Sequence, residues 1–174
     1  MAAISIKLNG VDAAIKAIDK KVANYEKEIQ VALNVWAQET ATIAKQYAPV
    51  DEGHLRGSIN AEPGDMRASV TVAVNYAAYL EFGTQKFAAE YVGSLPDDWQ
   101  TFASQFKGGG DGGFKDFVKR IMEWCRRKGI DEAAAYPIAR KIIINGIKAR
   151  PFLFPATQQT KKTLIEDIKA IISK

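Results

Sequence analysis

The residues that could carry out nucleophilic chemistry are few and far apart in the sequence. His54 is the only histidine and Cys125 the only cysteine, so a nucleophilic site would have to bring His54 to Cys125 or to a serine. One histidine and one cysteine also cannot supply the three or four ligands of a usual zinc site. Because no nucleophile-elbow or protease motif surrounds His54, a solvent-exposed loop histidine is the simpler interpretation.

Acidic and glycine-rich positions offer weaker candidates. Asp97 and Asp98 could bind a hard cation, but no third acidic residue is near them in sequence, so a turn is the simpler interpretation. Glu81 lies in an apolar run, where burial could shift its pKa, although a structural hydrogen bond or an ion pair with an arginine is commoner. The glycines at 108–113 lack the Lys-Ser/Thr ending of a phosphate-binding loop. We therefore predict no catalytic residue, metal or cofactor.

Length and composition fit one compact globular domain, residues 1–174. The hydrophobic share of 47% and the charged share of 25% are ordinary. A single cysteine excludes an intramolecular disulfide, as expected of a protein made in a reducing cytoplasm. The longest aliphatic run, residues 142–144, is far shorter than the ~20 residues of a membrane span, and no secretory signal is recognisable, so we expect a soluble protein. The net charge of +4 is only weak support for nucleic-acid binding.

The N-terminal part of the chain predicts one unusually long helix. Residues 11–48 contain no glycine or proline, and Pro49 should end the helix. Apolar residues follow a three-then-four spacing through Ile15, Ile18, Val22, Tyr25, Ile29, Ala32, Trp36, Ile43 and Tyr47. A continuous helix of this length would span about 55 Å, whereas a compact domain of this size is only ~30 to 35 Å across. Continuity would therefore imply oligomerisation; a break around Asn24 is the alternative.

Period-two alternation predicts a small amount of sheet. Residues 4–8 form a candidate strand, and residues 58–62 and 68–74 a candidate hairpin with turn residues at 63–65. Residues 76–82 are either helical or extended, since their spacing fits both.

The C-terminal half predicts an inserted segment at about residues 85–145. Its first part, 85–113, has no periodicity and predicts a flexible loop. Its second part predicts helices within 114–145, ending at Gly129 for the first and interrupted at Pro137 for the next. A final helix follows. The predicted class is α+β: a small antiparallel sheet packed against one long N-terminal helix, with further helices in the insert and at the C-terminus.

Aromatic residues indicate core positions and one candidate interface. Trp36 and Trp124 lie on helical apolar stripes and are predicted to be core. Trp99, Phe102 and Phe106 have the i, i+3, i+7 spacing of a short amphipathic turn. They should dock either onto their own domain or onto a neighbouring subunit.

Three short segments resemble the head–tail joining family of tailed bacteriophages, whose members are called neck, tail-completion or minor structural proteins. These are AKQYAPVDEGHLRGSI at 44–59, NYAAYLEFGT at 75–84 and GIKARPFLFPA at 146–156. Their order, with a long helix before the first and a helix after the third, is also similar to that of the family. Residues 85–145 are less securely matched, as expected of a variable insert.

The resemblance assigns chiefly packing roles to the motif residues. Pro49 would end the long helix, Gly53 would permit a turn, Phe152 would plug the core and Pro155 would start the last helix. The complete set comprises Ala48, Pro49, Gly53, Leu55, Arg56, Tyr76, Ala77, Glu81, Phe82, Gly83, Thr84, Arg150, Pro151, Phe152, Leu153, Pro155 and Ala156.

The resemblance implies a non-enzymatic virion protein of the head–tail junction, made in the host cytoplasm. Such a subunit is expected to form a homo-oligomeric ring, six- or twelvefold, around the DNA channel. Its partners would be other neck and tail proteins, with non-specific DNA contact and no membrane. The alternatives are a nucleic-acid-binding protein and a small hydrolase that uses His54 or Glu81.

Overall fold

The protein is largely helical in the computed structural model, which describes residues 11–106 and 113–174. Eight α-helices and two strands are described within those ranges. In chain order they are α1 (Val11–Tyr47), α2 (His54–Gly57), β1 (Ile59–Gly64), β2 (Arg67–Val72), α3 (Ala77–Phe82), α4 (Gln85–Val92), α5 (Asp97–Ser104), α6 (Phe114–Lys128), α7 (Ala135–Asn145) and α8 (Leu153–Ile172), with a 3-10 turn at Glu132–Ala134. The predicted α+β class is confirmed.

The long N-terminal helix is one uninterrupted element. α1 contains 37 residues, which at ~1.5 Å per residue gives a length of about 55 Å. No break occurs at Asn24, because neither a proline nor a glycine lies there to interrupt the helix. Pro49 follows the last turn, as predicted.

The two strands form an antiparallel hairpin that packs against α1. Ile59 pairs with Val72 and Gly64 pairs with Arg67, which leaves a two-residue turn. The turn was predicted at residues 63–65, yet Pro63 and Gly64 are the last residues of β1. A proline is tolerated there because its position belongs to an edge strand. The candidate strand at 4–8 lies outside the described residues.

Small side chains bring the elements of the core close together. Ala44 of α1 and Ala156 of α8 are fully buried in one cluster that also contains Ile59 and Phe152. α8 runs antiparallel to α1, since Thr40 bonds Thr160 through their hydroxyls at 2.7 Å while Lys174 reaches Glu28. The core is therefore the layer between α1, α8 and the hairpin.

Two prolines, Pro137 and Pro155, lie in the first turn of a helix, which corrects two expectations. Pro137 is the third residue of α7 and does not interrupt it. Pro155 is the third residue of α8, which begins at Leu153 rather than at Pro155. First-turn amides have no partner within the helix, so a proline there removes no hydrogen bond.

Residues 85–92 and 97–104 are helical, so the loop predicted at 85–113 is wrong over more than half of its length. α4 and α5 have eight residues each, too few to show a clear period. Such short helices depend on tertiary contacts for stability. α6, the 3-10 turn and α7 then pack together, and Gly129 ends α6 in the left-handed conformation, as predicted.

The tryptophans predicted to be core are only partly buried. Trp36 and Trp124 lie at the margin of their helices' packed faces, as large indoles often do. The fully buried neighbour of Trp124 is Cys125. Among the described helices, none is both long and apolar enough to cross a bilayer.

Candidate functional site

The three motif segments meet in one place, which we call the motif junction (residues 44–59, 75–84 and 146–156). Each segment contributes to a single buried cluster. Its members from these segments are Ala44, Ala48, Leu55, Ile59, Ala77, Phe152 and Ala156. Residues that are distant in sequence thus share one core, which gives the resemblance a structural basis.

Glu81 is the polar centre of the motif junction. Its side chain is 3% exposed. One carboxylate oxygen accepts the backbone N–H bonds of Phe152 at 2.8 Å and Leu153 at 2.9 Å, and the other accepts that of Phe154 at 2.8 Å. These are amides at the start of α8 that have no partner within the helix. Glu81 therefore caps α8. Of the two structural roles expected for it, the structure shows hydrogen bonds, here from backbone amides, and not an ion pair with an arginine.

Burial and hydrogen bonding act in opposite directions on the Glu81 carboxyl. Burial raises its pKa, and the three backbone N–H bonds counter part of that rise. Burial together with the Glu81 charge raises the pKa of the nearby Tyr91 hydroxyl to about 12. Both Glu81 oxygens accept backbone hydrogen bonds, so the carboxylate fixes the position of the start of α8.

Backbone pairing joins the second and third motif segments. Thr84 N–H donates to the Ile147 carbonyl at 2.9 Å, Ile147 N–H donates to the Thr84 hydroxyl at 2.7 Å, and Arg150 N–H donates to the Leu80 carbonyl at 2.7 Å. Gly83 has a φ of 76°, and a Cβ there would lie 2.8 Å from the Ile147 carbonyl oxygen. Glycine is therefore required by both conformation and space.

Gly146, on the other segment of this pairing, also allows the close backbone approach that Gly83 allows. The sequence did not reveal this role. The φ of Gly146 is 84°, and a Cβ would collide with the Thr84 carbonyl. In the sequence the dipeptide Asn145-Gly146 indicates only the end of a helix. The packing partner, 62 positions earlier in the chain, carries no local signal.

The first motif segment forms a turn and an ion-pair patch. Gly53 adopts a φ of 83° immediately before α2, as its predicted turn role requires. Asp51 and Glu52 accept ion pairs from Lys128 and Arg127 at the end of α6. The hydrogen bond from Lys128 lowers the pKa of Asp51. These pairs are solvent-exposed, so they orient α6 more than they stabilise the fold.

The candidate residues His54 and Cys125 do not form a nucleophilic pair. The side chain of His54 is 71% exposed and lies 3.4 Å from Glu52, whereas Cys125 is fully buried. In the described part of the chain, no three His, Cys, Asp or Glu side chains are grouped to hold a metal ion. Asp97 and Asp98 lie in the first turn of α5, where carboxylates complement the helix dipole.

The candidate interface aromatics pack on Phe82. Trp99, Phe102 and Phe106 have ring centroids 5.9 to 6.3 Å from the Phe82 ring, and Trp99 also contacts Phe154 edge-on at 5.0 Å. Phe102 and Phe106 remain 39% and 45% exposed. This aromatic cluster therefore packs against its own chain and presents two ring edges to solvent.

Residues 12–83 match the family model described as "Bacteriophage HK97-gp10, putative tail-component". The recognition of a tailed-phage protein family is confirmed over this span. The match includes α1 from residue 12 onward, the whole first motif segment and residues 75–83 of the second, whereas the third segment lies outside it. It supports a structural role in a phage tail and points away from catalysis. No curated protein and no solved structure is significantly similar to the chain.

Replacing Glu81 with glutamine should lower the free energy of unfolding by about 1 to 3 kcal/mol, the cost of a buried donor without a partner. The amide has only one acceptor oxygen, so at least one of the three amides of residues 152–154 would face an NH2 group. Chemical denaturation measures the change. Glu90→Gln, at an exposed position of α4, is the matched control and should leave the free energy of unfolding unchanged. Equal stability of the wild type and the Glu81 variant would contradict the capping role.

The stability contributed by Glu81 should depend on pH. Because burial raises its pKa in the folded state, the contribution is fully present below the unfolded pKa and is lost as the pH rises through the folded pKa. The cost of Glu81→Gln should therefore shrink as the pH rises from about 4, near the ordinary pKa of a glutamate. Denaturation curves of both proteins across that range would test this. A growing cost would mean that the backbone bonds outweigh burial.

Proposed function

We propose that the protein is a non-enzymatic subunit of a tailed-phage particle that completes or joins the tail at the head–tail interface. The observation that carries the proposal is the match of residues 12–83 to a phage tail-component family. The proposal places the protein in the virion and gives it other neck and tail proteins as partners. It takes residues 1–174 as one domain with a variable insert at 85–145.

Uncovered apolar surface on α1 supports assembly with other subunits. Lys174, the last residue, pairs with Glu28, so residues 11–27 of α1 extend beyond the end of α8 by about 25 Å. Ile15, Ile18 and Val22 on this projecting part are 51%, 61% and 48% exposed. An apolar stripe on a helix is normally buried, and within the described residues nothing covers it.

A cyclic homo-oligomer around the DNA channel is the arrangement that we propose for this assembly, with six or twelve subunits. A head-to-tail contact that closes on itself gives a ring. Strand edges offer additional contacts, because β1 and β2 pair only with each other in the described part of the chain. The exposed edges of Phe102 and Phe106 are our candidate contact with another neck or tail protein.

A hydrolase is the less favoured alternative because its candidate residues have other roles. Glu81 is saturated with backbone hydrogen bonds. His54 contacts a glutamate at the surface and has no nucleophile among the partners described for it.

A set of basic side chains supports contact with DNA in the channel. Lys148 and Arg150 are exposed, and they alternate with three less exposed residues in the segment after α7, so both face the same side. Lys86 and Lys141 line one shallow depression beside Gly146. None of the four has an ion-pair partner among the described residues. Cations of this kind bind phosphates without reading sequence.

Purified virus should contain this polypeptide, and the isolated protein should form a closed ring. Mass spectrometry of purified particles measures the first, and native mass measurement with electron microscopy measures the second. Phage lacking the gene should accumulate separate heads and tails. Finished, infectious particles without the protein would reject the proposed location.

The isolated protein should bind duplex DNA weakly and independently of sequence, with an affinity that falls as salt rises. Lys148→Ala and Arg150→Ala should each reduce the slope of log K against log salt by about 1. Lys20→Ala, on the projecting N-terminal part of α1, is the control and should leave the slope unchanged. Filter binding or fluorescence anisotropy at several salt concentrations measures it. A slope unaffected by both substitutions would exclude this surface as the DNA contact.

A further inference from the structure

The outer edge of β2 has no paired strand in the described part of the chain. Ala73 N–H donates to the Ser58 carbonyl at 3.2 Å, in register with the pairs of the hairpin. Every second pair of an antiparallel ladder exchanges hydrogen bonds, so the N–H and C=O groups of Ala68, Val70 and Val72 point away from β1. We call this row of backbone groups the β2 edge.

The outer edge of β1 is less suited to a further strand. The same alternation turns the backbone groups of Ile59, Ala61 and Pro63 outward on β1. Pro63 has no N–H, so a strand added there would lose a hydrogen bond. We therefore expect an incoming strand at the β2 edge.

The two faces of β2 differ in polarity. Val70 and Val72 are partly buried and pack against the core cluster on the side of α1, whereas Arg67 and Ser69 are exposed on the other face. Directly opposed residues of neighbouring strands share a face of the sheet. A strand added to the β2 edge therefore needs apolar side chains at alternate positions and polar side chains between them.

A segment with this pattern precedes α1. Ile4, Ile6 and Leu8 alternate with Ser5 and Lys7, as in a strand with one buried face. Five extended residues span about 17 Å, which equals the length of the β2 edge. These five residues lie outside the described part of the structure, and their strand character is predicted from the sequence alone. We call them the N-terminal segment.

The N-terminal segment cannot pair with the β2 edge of its own chain. The turn end of the hairpin lies beside Gln30, whose side chain donates to the Arg67 carbonyl at 3.3 Å, and the strands run from there toward Ala41. Val11, at the start of α1, is about 28 Å from Gln30 along the helix. Residues 4–10 span at most about 25 Å when fully extended, and pairing along the β2 edge would require about 17 Å more.

Each copy thus has one strand to donate and one edge to accept a strand, and only another copy can bring the two together. The projecting residues 11–27 of α1 hold the N-terminal segment away from its own core. A contact between two different surfaces of identical subunits is head-to-tail, and such contacts generate rings when the rotation closes.

We propose that the N-terminal segment of one copy adds to the β2 edge of a neighbouring copy as the third strand of its sheet. The three aliphatic side chains then continue the apolar face of β2, and the two polar side chains continue its exposed face. Backbone hydrogen bonds supply the affinity of such a contact, and the alternate side chains supply its specificity. The inference rests on the proposed assembly with other subunits and names a contact that builds it.

Disulfide trapping of the full-length protein tests the contact. Two double variants combine Ser69→Cys with Lys7→Cys or with Ser5→Cys, which covers registers that differ by two residues. Residue 69 would form a non-hydrogen-bonded pair with the added strand, with Cα atoms about 4.5 Å apart, a separation that a disulfide can bridge. After mild oxidation, at least one variant should give a ladder of dimers, trimers and larger species on a non-reducing denaturing gel.

Ile6→Cys with Ser69→Cys is the matched control, because residue 6 faces the other side of the added strand. Its ladder should be at least tenfold weaker. The wild type, whose Cys125 is fully buried, should run as a monomer. Ser69 is exposed, and circular dichroism verifies that each variant folds.

Each other result overturns the inference. Absence of a ladder from both donor positions, or an equal ladder from the Ile6 control, means that the N-terminal segment is not a strand on the β2 edge. A disulfide within one chain, seen as a faster-migrating monomer, means that the segment reaches its own hairpin. Dimers from Ser69→Cys alone mean that two β2 edges pair with each other. A native ring without the ladder would sink this contact alone, whereas absence of the protein from virus would sink the proposed function.

Discussion

A buried carboxylate that caps a distant helix is the interaction on which the rest of the fold depends. Removing Glu81 from water is costly, and the free amides at the start of α8 offset that cost because they too need partners. Neither group could be buried without the other. Their pairing places α8 against α1 and the hairpin, and it brings Phe152 into the core.

This pairing explains why three separate segments of the sequence share one buried core. Glu81 is effective only if the following chain can approach residues 146–150, which requires glycine at 83 and 146. Phe152 is buried only if alanines at 44 and 48 leave room for it. The motif junction is therefore a packing requirement distributed over three segments, and it is compatible with a structural role.

The sequence predicted those features whose cause is local. α1 was visible because apolar spacing, absence of glycine and proline, and a terminal proline all agree over 37 residues. The hairpin was visible from alternation, although its turn, at residues 65 and 66, begins two residues later than expected. α4 and α5 were missed because eight residues each are too few to show a clear period, and α5 is stabilised by packing on Phe82. The partner of Glu81 was missed because a backbone amide 71 residues away leaves no mark in the sequence.

The rigidity of α1 links the core to the proposed assembly. Its C-terminal part is held by α8 and the hairpin, whereas its first 17 residues lie beyond the end of α8. Because the helix is uninterrupted, the distance from the exposed Ile15, Ile18 and Val22 to the motif junction is constant within each copy. In the proposed ring, that constant offset would determine how far successive subunits are displaced and rotated. A bend in α1 would then change the closure of the ring while leaving the motif junction intact.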